Sequence, residues 1–541
     1  MRSIIDRDIA RLEERIRVLR SRRNELSPTF RLPVEILCKI FFLIGEIPDN
    51  NFYVKASSWS NFSQVSRHWR LSALSTPELW TKIPLSYPHW AQEMLMRSKM
   101  AKLTIRSAPS FHASNPKTIE TVRSCLNQMN RVEEINLHPI TGSTLKEIFR
   151  DLSKSAPQLH TLCIGVGDPL FRSEFSIPED FLYDTERLQC VNLTRCKINW
   201  DSRLLTGLTR LTLENSLNAN SSILQFLHAL QRMPALTDLH LSDSIPDDSE
   251  GLSTYPVVDL PCLRVLNVLS GVCPLTAALR HITFPHSAIL NLTCKENQSG
   301  QIDFSNFLSV LSAKFLSSLV IQSLSLRAPD EFHIPGLKFN LWTTSFTDCF
   351  PSPSSLTSEC QLQLVLTWPT SRHHYNHDKA LSSAFDAMNL PFLTQLQIST
   401  LGYISFQTWV KTFGRLPLLE QVCVRPGGGS LPHLFFKALI YITKAAEQSK
   451  SAYRVVSLPK LRYIHLDGVD FDTTDPTPSI DILIDCLMER CGGKVGVRML
   501  RLDGCYSLLS EDVKRLEEIV VDVIWDGVEK SMDDYSDDER E

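Results

Sequence analysis

The fold of the amino-terminal region is decided by the stretch Phe30-Arg31-Leu32-Pro33-Val34-Glu35-Ile36-Leu37-Cys38-Lys39-Ile40-Phe41-Phe42-Leu43-Ile44. Pro33 suits a first helical turn, where its missing amide hydrogen costs nothing, and Glu35 favours the positive end of the helix dipole. The stretch therefore predicts a helix. Its apolar residues cover more than one face, which is more than a single-sided surface helix needs. We expect something besides its own domain to cover the remainder.

A second apolar segment follows the polar stretch Gly45 to Asn61 and ends near Trp80. It reads Phe62-Ser63-Gln64-Val65-Ser66-Arg67-His68-Trp69-Arg70-Leu71-Ser72-Ala73-Leu74-Ser75-Thr76-Pro77-Glu78-Leu79-Trp80. Phe62, Val65, Trp69 and Ala73 recur at steps of three and four, which predicts one helix with one apolar stripe. Thr76-Pro77 closes that helix, since proline lacks the amide hydrogen that a helix interior requires.

Together the two segments contain LPxEIL, IF, VSRxWR and PxLW in that order. This order closely resembles the F-box, a small three-helix module that docks on the adaptor protein Skp1. The resemblance implies an F-box at residues 28–85. It also implies that the small core and the Skp1-facing surface are built by Leu32, Pro33, Ile36, Leu37, Ile40, Phe41, Val65, Trp69, Leu79 and Trp80.

Two features depart from the usual F-box pattern. Ser66 stands where many F-boxes have cysteine, a small-for-small exchange. The connection Gly45 to Asn61 is longer than usual by roughly ten residues, which is tolerated because the entropic cost of closing a loop grows only logarithmically with length. Residues 1–85 also resemble the expanded F-box-like families of mushroom-forming fungi, in which a charged helix precedes the module.

Residues 1–27 carry a heptad pattern of apolar residues. Steps of four and three, interrupted at Arg23, separate Ile5, Ile9, Leu12, Ile16, Leu19 and Leu26. The pattern predicts a coiled-coil-like helix that ends at Ser27-Pro28. Barely more than three heptads give a free-standing coiled coil marginal stability. Two interpretations stay open, packing within the chain or a complex and dimerisation.

Beyond residue 130 a short phrase recurs, which consists of a leucine, two residues, an apolar residue, one residue and a second apolar residue. In the final copy, valine replaces the leading leucine. The copies are Leu159-Leu162-Ile164, Leu188-Val191-Leu193, Leu208-Leu211-Leu213, Leu236-Leu239-Leu241, Leu263-Leu266-Val268, Leu393-Leu396-Ile398, Leu419-Val422-Val424, Leu461-Ile464-Leu466 and Val497-Leu500-Leu502. The alternating end of each phrase predicts a short strand, and segments such as Ser222 to Gln231 have helical spacing.

This strand-then-helix unit resembles an irregular leucine-rich-repeat array over residues 86–520. The predicted fold class is thus an all-α F-box with a preceding heptad helix, followed by an irregular α/β leucine-rich-repeat-like solenoid. We expect the horseshoe to be flattened or broken between residues 300 and 390, where the spacings lengthen. The residues beside each apolar pair, such as Thr212, Gln397, Ser399 and His465, are predicted to form a solvent-facing sheet that binds a protein.

Composition excludes several classes of function. The 541 residues carry 56 Lys and Arg against 60 Asp and Glu, a formal net charge of -4, which gives no general attraction to nucleic acid or an anionic membrane. We find no secretion signal and no apolar run of membrane-spanning length, and the 14 cysteines contain no CxxC pair. We therefore expect reduced thiols and a cytoplasmic or nuclear location, or both.

Candidate chemistry is sparse. The cluster Arg372 to Asp378 holds His373, His374 and His377, but no cysteine lies nearby to complete a zinc site. Gly427-Gly428-Gly429 lacks the Lys-Ser/Thr of a phosphate-binding loop. The sequence also has no GxSxG, HExxH or GxGxxG motif, so we expect no catalytic, metal or cofactor site and no enzyme.

The carboxyl end, placed at residues 521–541, is predicted to be an acidic and disordered tail. Ser536 precedes Asp-Asp-Glu and resembles an acidophilic kinase site.

The order of module and array predicts a non-catalytic substrate-recognition adaptor. Its F-box would bind Skp1, and through Skp1 a cullin of an SCF-type ubiquitin ligase, while the array would bind an unknown target protein. The alternative is a scaffold protein that assembles partners through its repeats and whose F-box is vestigial or independent of cullin. The long Gly45 to Asn61 connection motivates this alternative.

Overall fold

The structure is a computed structural model that describes residues 2–46, 61–85, 87–107, 116–150, 155–167, 175–217, 221–247, 255–296, 303–329, 335–346, 360–369, 377–399, 401, 404–426, 433–440, 442–444, 454–471 and 479–530. The chain divides into two compact units, Met1–Asn218 and Ala219–Glu541. Helices open the first unit, and a large α/β, sheet-rich region follows. Among the described residues, no helix combines the length and apolar character that crossing a bilayer requires.

The amino-terminal helices lie close to the positions that the sequence predicts, with one exception. They are α1 (Arg2–Glu25), α2 (Val34–Glu46), α3 (Phe62–Val65) and α4 (Arg67–Leu74), with 3-10 turns at Pro28–Arg31 and Pro77–Trp80. The single helix predicted from Phe62 onward is wrong, because Ser66 adopts an extended backbone with φ -154° and ψ 165°. Its hydroxyl then accepts a hydrogen bond from the Trp69 amide at 3.1 Å and caps the start of α4.

The rest of the first unit is built on a parallel sheet. Its strands are β1 (Lys82–Pro84), β2 (Leu103–Arg106), β3 (Val132–Ile140), β4 (Thr161–Val166), β5 (Phe175–Ser176), β6 (Cys190–Thr194), β7 (Cys196–Lys197) and β8 (Arg210–Glu214). Its further helices are α5 (Pro88–Arg97), α6 (Pro116–Leu126) and α7 (Gly142–Phe149), with a 3-10 turn at Met129–Arg131. The main sheet runs β1-β2-β3-β4-β6-β8, and β5 pairs with β7.

The second unit alternates strands and helices in the same way. Its strands are β9 (Asp238–Ser242), β10 (Val258–Asp259), β11 (Val265–Gly271), β12 (Ile282–Thr283), β13 (Ile289–Lys295), β14 (Ser323–Arg327), β15 (Gly336–Trp342), β16 (Leu362–Thr367), β17 (Gln395–Ser399), β18 (Gln421–Arg425), β19 (Ile442–Lys444), β20 (Arg454–Val456), β21 (Tyr463–Asp467), β22 (Met499–Asp503) and β23 (Asp522–Trp525). Its helices are α8 (Ile223–Gln231), α9 (Val272–His281), α10 (Ser305–Lys314), α11 (His377–Met388), α12 (Phe406–Thr408), α13 (His433–Leu439), α14 (Ser479–Gly492) and α15 (Ser510–Glu517), with a 3-10 turn at Leu316–Ser318 and a π turn at Trp409–Phe413.

The main sheet of this unit contains a reversal where the repeat spacing lengthens. Its order is β9-β11-β13-β16-β15-β14-β17-β18-β21-β22-β23. Strand β14 pairs ahead with β17, β15 returns antiparallel, and β16 pairs back with β13. The irregularity expected between residues 300 and 390 is therefore a three-strand meander inserted into an otherwise parallel sheet.

The recurring apolar phrases form the core of both units. In every predicted copy the last two apolar residues lie on a strand, and all three residues are buried. Val424 is among the more exposed of them, at 6%. Alternating strand residues point to opposite faces, so one face of each strand packs inward and leaves the other for polar side chains.

The predicted boundary of the acidic tail at residue 521 is wrong. Strand β23 adds to the edge of the sheet by parallel pairing with β22, and the described chain continues to residue 530. Composition does not predict this strand, because backbone hydrogen bonds to β22 hold it and its side chains contribute little burial: Ile524 is 44% exposed. Residues 531–541, with Ser536, lie outside the described residues.

Candidate protein-docking surface of the amino-terminal helices

An aromatic cluster joins the helices on either side of the Gly45 to Asn61 connection. The ring of Phe41 on α2 stacks on Phe62 of α3, with centroids 4.2 Å apart and planes inclined by 12°. Phe41 also contacts Trp69 of α4 at 5.3 Å, and Phe62 contacts Trp80 at 6.5 Å. Phe41 and Trp80 are fully buried. Aromatic pairs at these distances add stability beyond their buried area, so this cluster is the core of the helical region.

Trp80 ties this core to the elements around it. Its indole nitrogen donates a hydrogen bond to the Ala73 carbonyl at 2.8 Å, which fixes the 3-10 turn against α4. The Arg97 guanidinium of α5 lies 4.5 Å from the Trp80 ring centroid and is held by Glu93 at 2.7 Å. A guanidinium over an indole face is a favourable cation–π contact. The helical region is therefore anchored to the helix that follows it.

A second set of polar contacts fixes α2 against the end of α4. The Thr76 hydroxyl donates to the Ser72 carbonyl at 2.9 Å, and the Cys38 thiol lies 3.1 Å from the same hydroxyl. These bonds satisfy polar groups at the close of α4. The face of α2 that carries Cys38 is thereby committed to its own domain.

The residues predicted for the site fall into three groups. Those in the core are Leu37, Phe41, Leu79 and Trp80; those that are half-buried are Leu32, Ile40 and Trp69; those that are exposed are Pro33, Ile36 and Val65. The prediction that Phe62, Val65, Trp69 and Ala73 share one apolar stripe is wrong, since Phe62 and Ala73 are buried whereas Val65 is 60% exposed. The restart of the helix at Ser66 rotates α4 out of phase with α3, so the three-and-four spacing does not carry across it.

The outer face of α2 is apolar and open. Ile36 is 44% exposed and Leu43 is 59% exposed. They lie seven residues apart, two helical turns, and so share a face, with the half-buried Ile40 between them. We name Ile36, Ile40 and Leu43 the α2 stripe. Sequence reasoning missed Leu43, along with the exposed Val34, Phe42 and Leu71, although the surplus of apolar residues in α2 was the signal that could have found them.

Residues 29–86 match the sequence model of the family described as F-box-like. These residues are an F-box-like domain. The match begins at the 3-10 turn before α2 and ends after β1, so it encloses the aromatic cluster and the α2 stripe. It covers a small part of the chain and says nothing of the sheet-rich region.

Comparisons of the whole chain find solved structures that are similar at low sequence identity. No curated protein sequence matches this chain. Among solved structures, one in the crystal structure of a TLR13–ssRNA13 complex matches at 12% identity and a TM-score of 0.29, over 78% of this chain and 44% of the other. A second, in the crystal structure of Rad7 and Elc1 from yeast, matches at 12% identity and a TM-score of 0.30, over 84% of this chain and 96% of the other.

The polar face of the second unit's sheet is only partly open, which corrects an expectation. Gln397 and Ser399 are 2% exposed and His465 is 6% exposed, so the prediction that they face solvent is wrong. The chain after β15 crosses this face, where the Gln395 amide exchanges two hydrogen bonds with the Phe346 backbone, each 2.8 Å long. Thr212, in the first unit, is half-buried.

A cleft of about 810 Å³ opens on the second unit, at the amino-terminal ends of β17, β18, β21 and β22. Glu420, Arg462 and Arg501 supply its charged groups, and Met499 and Ile524 supply apolar surface. Beyond the crossing, Arg425 forms an ion pair with Asp467. The cleft thus combines charge of both signs with apolar surface, a combination suited to binding a protein segment.

Neighbouring strands are linked by a buried polar network. Nε2 of His465 on β21 lies 2.9 Å from Asp503 on β22, and Nδ1 lies 3.4 Å from the Cys423 thiol on β18. A neutral imidazole fits both contacts, donating to the carboxylate and accepting from the thiol. Burial lowers the pKa of His465 below its usual value, and the nearby carboxylates of Asp503 and Asp467 offset part of that shift. Cys423 is 2% exposed among apolar neighbours.

The predicted histidine cluster is described only at its end. His377 begins α11 and meets Trp368 edge to face at 5.5 Å, and Asp378 accepts a hydrogen bond from the Ser405 amide at 3.1 Å. His373, His374 and the glycines at 427–429 lie outside the described residues. Within the described ranges, no three His, Cys, Asp or Glu side chains converge as metal ligands would.

We predict that Phe41→Ala destabilises the F-box-like domain. Removing the stacked ring from a fully buried position leaves a cavity, which costs about 3 to 5 kcal/mol of unfolding free energy for Phe→Ala. Phe42→Ala, the matched control one residue away, removes a ring that is 39% exposed and costs about 1 kcal/mol or less. Urea unfolding gives the energies, and hydrogen exchange over residues 34–46 and 62–74 locates them. Equal losses of protection in the two variants would contradict the cluster's role.

We predict that the second unit loses stability as pH falls. The folded pKa of His465 is depressed, so the unfolded chain takes up a proton first and stability is lost as pH drops through about 6.5. His465→Asn should flatten the dependence of the urea midpoint between pH 7.5 and 5.5. His286→Asn, an exposed histidine of the same unit, controls for the substitution. An unchanged slope in His465→Asn would rule out this histidine as a source.

Proposed function

We propose that this chain is a non-catalytic adaptor that binds Skp1 through its F-box-like domain and a target protein through its sheet-rich region. The observation that carries the proposal is the α2 stripe: apolar side chains on a well-anchored helix, inside the segment that matches the F-box-like family. Apolar surface on a rigid helix is a favourable docking element, because little side-chain or backbone entropy is lost on binding.

The anchoring of α2 supports this function. Its inner face is held by the Phe41 stack and its Cys38 side by Thr76, so the helix cannot turn the α2 stripe inward without breaking both. Covering Ile36 and Leu43 would remove apolar area from water at roughly 25 cal/mol per Å². Burial of these two side chains against Skp1 would therefore favour binding, since the free domain leaves them exposed.

For the target we propose the open parts of the second unit, and above all the cleft beside Glu420, Arg462 and Arg501. We further propose that the strand-and-helix units form an irregular leucine-rich-repeat-like solenoid, whose parallel strands support such a face. The buried apolar phrases and the parallel register across β17, β18, β21 and β22 favour this description.

The chemistry of ubiquitin transfer would be supplied by other subunits of an SCF-type ligase, with a cullin recruited through Skp1. No catalytic role is proposed for any residue of this chain, and we propose a cytoplasmic or nuclear site of action. In the alternative function, the chain would bind Skp1 or other partners as a scaffold without recruiting a cullin.

Skp1 binding tests the docking surface. Ile36→Glu combined with Leu43→Glu should weaken binding of purified Skp1 by about 100-fold or more, because two exposed apolar anchors are replaced by charges. Met96→Glu is the matched control, since Met96 is 68% exposed on α5, outside the F-box-like segment. Calorimetry measures the affinities, and unchanged thermal unfolding confirms that the variants fold. Equal affinity in the double variant and the control would overturn the proposal.

Cullin recruitment separates the two functions. An adaptor should bring a cullin into a complex with Skp1 and shorten the half-life of at least one protein near it. Both effects should disappear in the Ile36→Glu/Leu43→Glu variant. Co-purification from cells and pulse-chase measurement of proximity-labelled proteins would report them. A stable Skp1 complex with neither cullin nor altered turnover would favour the scaffold function.

A further inference from the structure

The first helix presents an apolar stripe that the described chain leaves exposed. Ile9 and Ile16 are each 48% exposed, Leu12 is 59% and Leu19 is 62% exposed. None of the α1 side chains for which burial is described is buried. The helix has 24 residues and is about 36 Å long, so the stripe is too extended to be an isolated apolar contact. Packing of the stripe within the described part of the chain is therefore not what stabilises it.

The width of the stripe indicates how many helices would cover it. In the heptad, Ile9 and Ile16 occupy the a positions, and Leu12 and Leu19 occupy the d positions. A stripe confined to the a and d positions is the narrow seam of a coiled coil, which a single partner helix can cover. The expected occupant is therefore one further helix of similar length.

The charges that flank the stripe are divided between the two halves of the helix. The flanking e and g positions of the first half hold Asp6, Asp8 and Glu13, and those of the second half hold Arg15, Arg20 and Arg22. Such flanking charges set partner choice and orientation in coiled coils. A helix with one acidic half and one basic half is complementary to a reversed copy of itself.

A parallel pair of these helices would be repelled. A g residue of one helix then faces the e residue five positions later on the other. Asp8 would meet Glu13 of the second copy, and Arg15 would meet its Arg20. Arg23, at an a position, would also meet the Arg23 of the second copy. All of these contacts join like charges.

An antiparallel pair is attracted along most of its length. Aligning Ile9 with Leu19, and Leu12 with Ile16, sets Asp6 against Arg20 and Asp8 against Arg22, each twice by symmetry. Only Glu13 and Arg15, next to the two-fold axis, face their own copies. Arg23 then lies against the end of the stripe in the acidic half of the second copy, where its long side chain reaches solvent.

We propose that two copies of this chain pair through α1 as an antiparallel two-stranded coiled coil. The F-box-like domain begins at residue 29, shortly after Glu25 ends α1. The two α2 stripes of the dimer would therefore lie toward opposite ends of the paired helices, so that both remain open. The proposal concerns a surface separate from the α2 stripe, and it holds whether or not the chain binds Skp1.

Charge reversal on the full-length protein tests the orientation. Asp6→Arg/Asp8→Arg should weaken the dimer by about tenfold or more in analytical ultracentrifugation, since four attractive pairs become repulsive. Arg20→Asp/Arg22→Asp should weaken it similarly. An equimolar mixture of the two variants should restore a dimer, because every reversed charge then meets its opposite. In a parallel dimer Asp8→Arg would instead gain a Glu13 partner, so a dimer strengthened by Asp8→Arg alone would overturn the proposal.

Substitution in the stripe tests the surface itself. Ile16→Asp should give a monomer at micromolar concentration, whereas Val18→Asp, two residues along and outside the stripe, should leave the dimer intact. Thermal unfolding of the remaining domains should be unchanged in both, because α1 side chains are not part of their core. A monomeric wild-type protein, or a dimer that survives Ile16→Asp, would overturn the proposal.

Discussion

The stack of Phe41 on Phe62 is the contact on which the F-box-like domain depends. The two rings belong to helices separated by a long polar connection, and closing such a connection costs entropy that local contacts must offset. The rings are nearly parallel and buried, and Trp69 and Trp80 pack around them. Without this cluster, α2 would lose its aromatic contacts with α3 and α4 and would keep the polar contact of Cys38 with Thr76, so the orientation of its outer face would be less well defined.

Because one face of α2 packs against its own domain, the apolar residues on the opposite face are left exposed. Leu37 and Phe41 are fully buried, and Cys38 meets Thr76, so these residues commit one side of the helix to its own domain. Ile36 and Leu43 lie beyond the reach of that core. The exposed charged residues Glu35 and Lys39 flank the α2 stripe and limit the width of the apolar patch.

Features set by local patterns could be predicted from the sequence, and features set by distant contacts could not. The recurring apolar phrases predicted strands correctly because alternation follows directly from strand geometry. Val65 does not share a stripe with Trp69 and Ala73, although its spacing looks helical, because the cap at Ser66 changes the phase of the helix. The buried Gln397 accepts a hydrogen bond from the Ser325 hydroxyl, 72 residues earlier in the sequence, and no local pattern reveals such a contact.

The exposed apolar faces of α1 and α2 have different origins. Both helices expose apolar residues, but α2 is amphipathic against a core that its own domain supplies, whereas the heptad of α1 has no such core. Individual surface ion pairs are weak, at about 0.2 to 1 kcal/mol each. They nevertheless decide orientation, because the apolar contacts of α1 are nearly the same in both directions and only the charges differ between them. The apolar stripe would therefore supply the affinity, and the division into an acidic and a basic half would supply the direction.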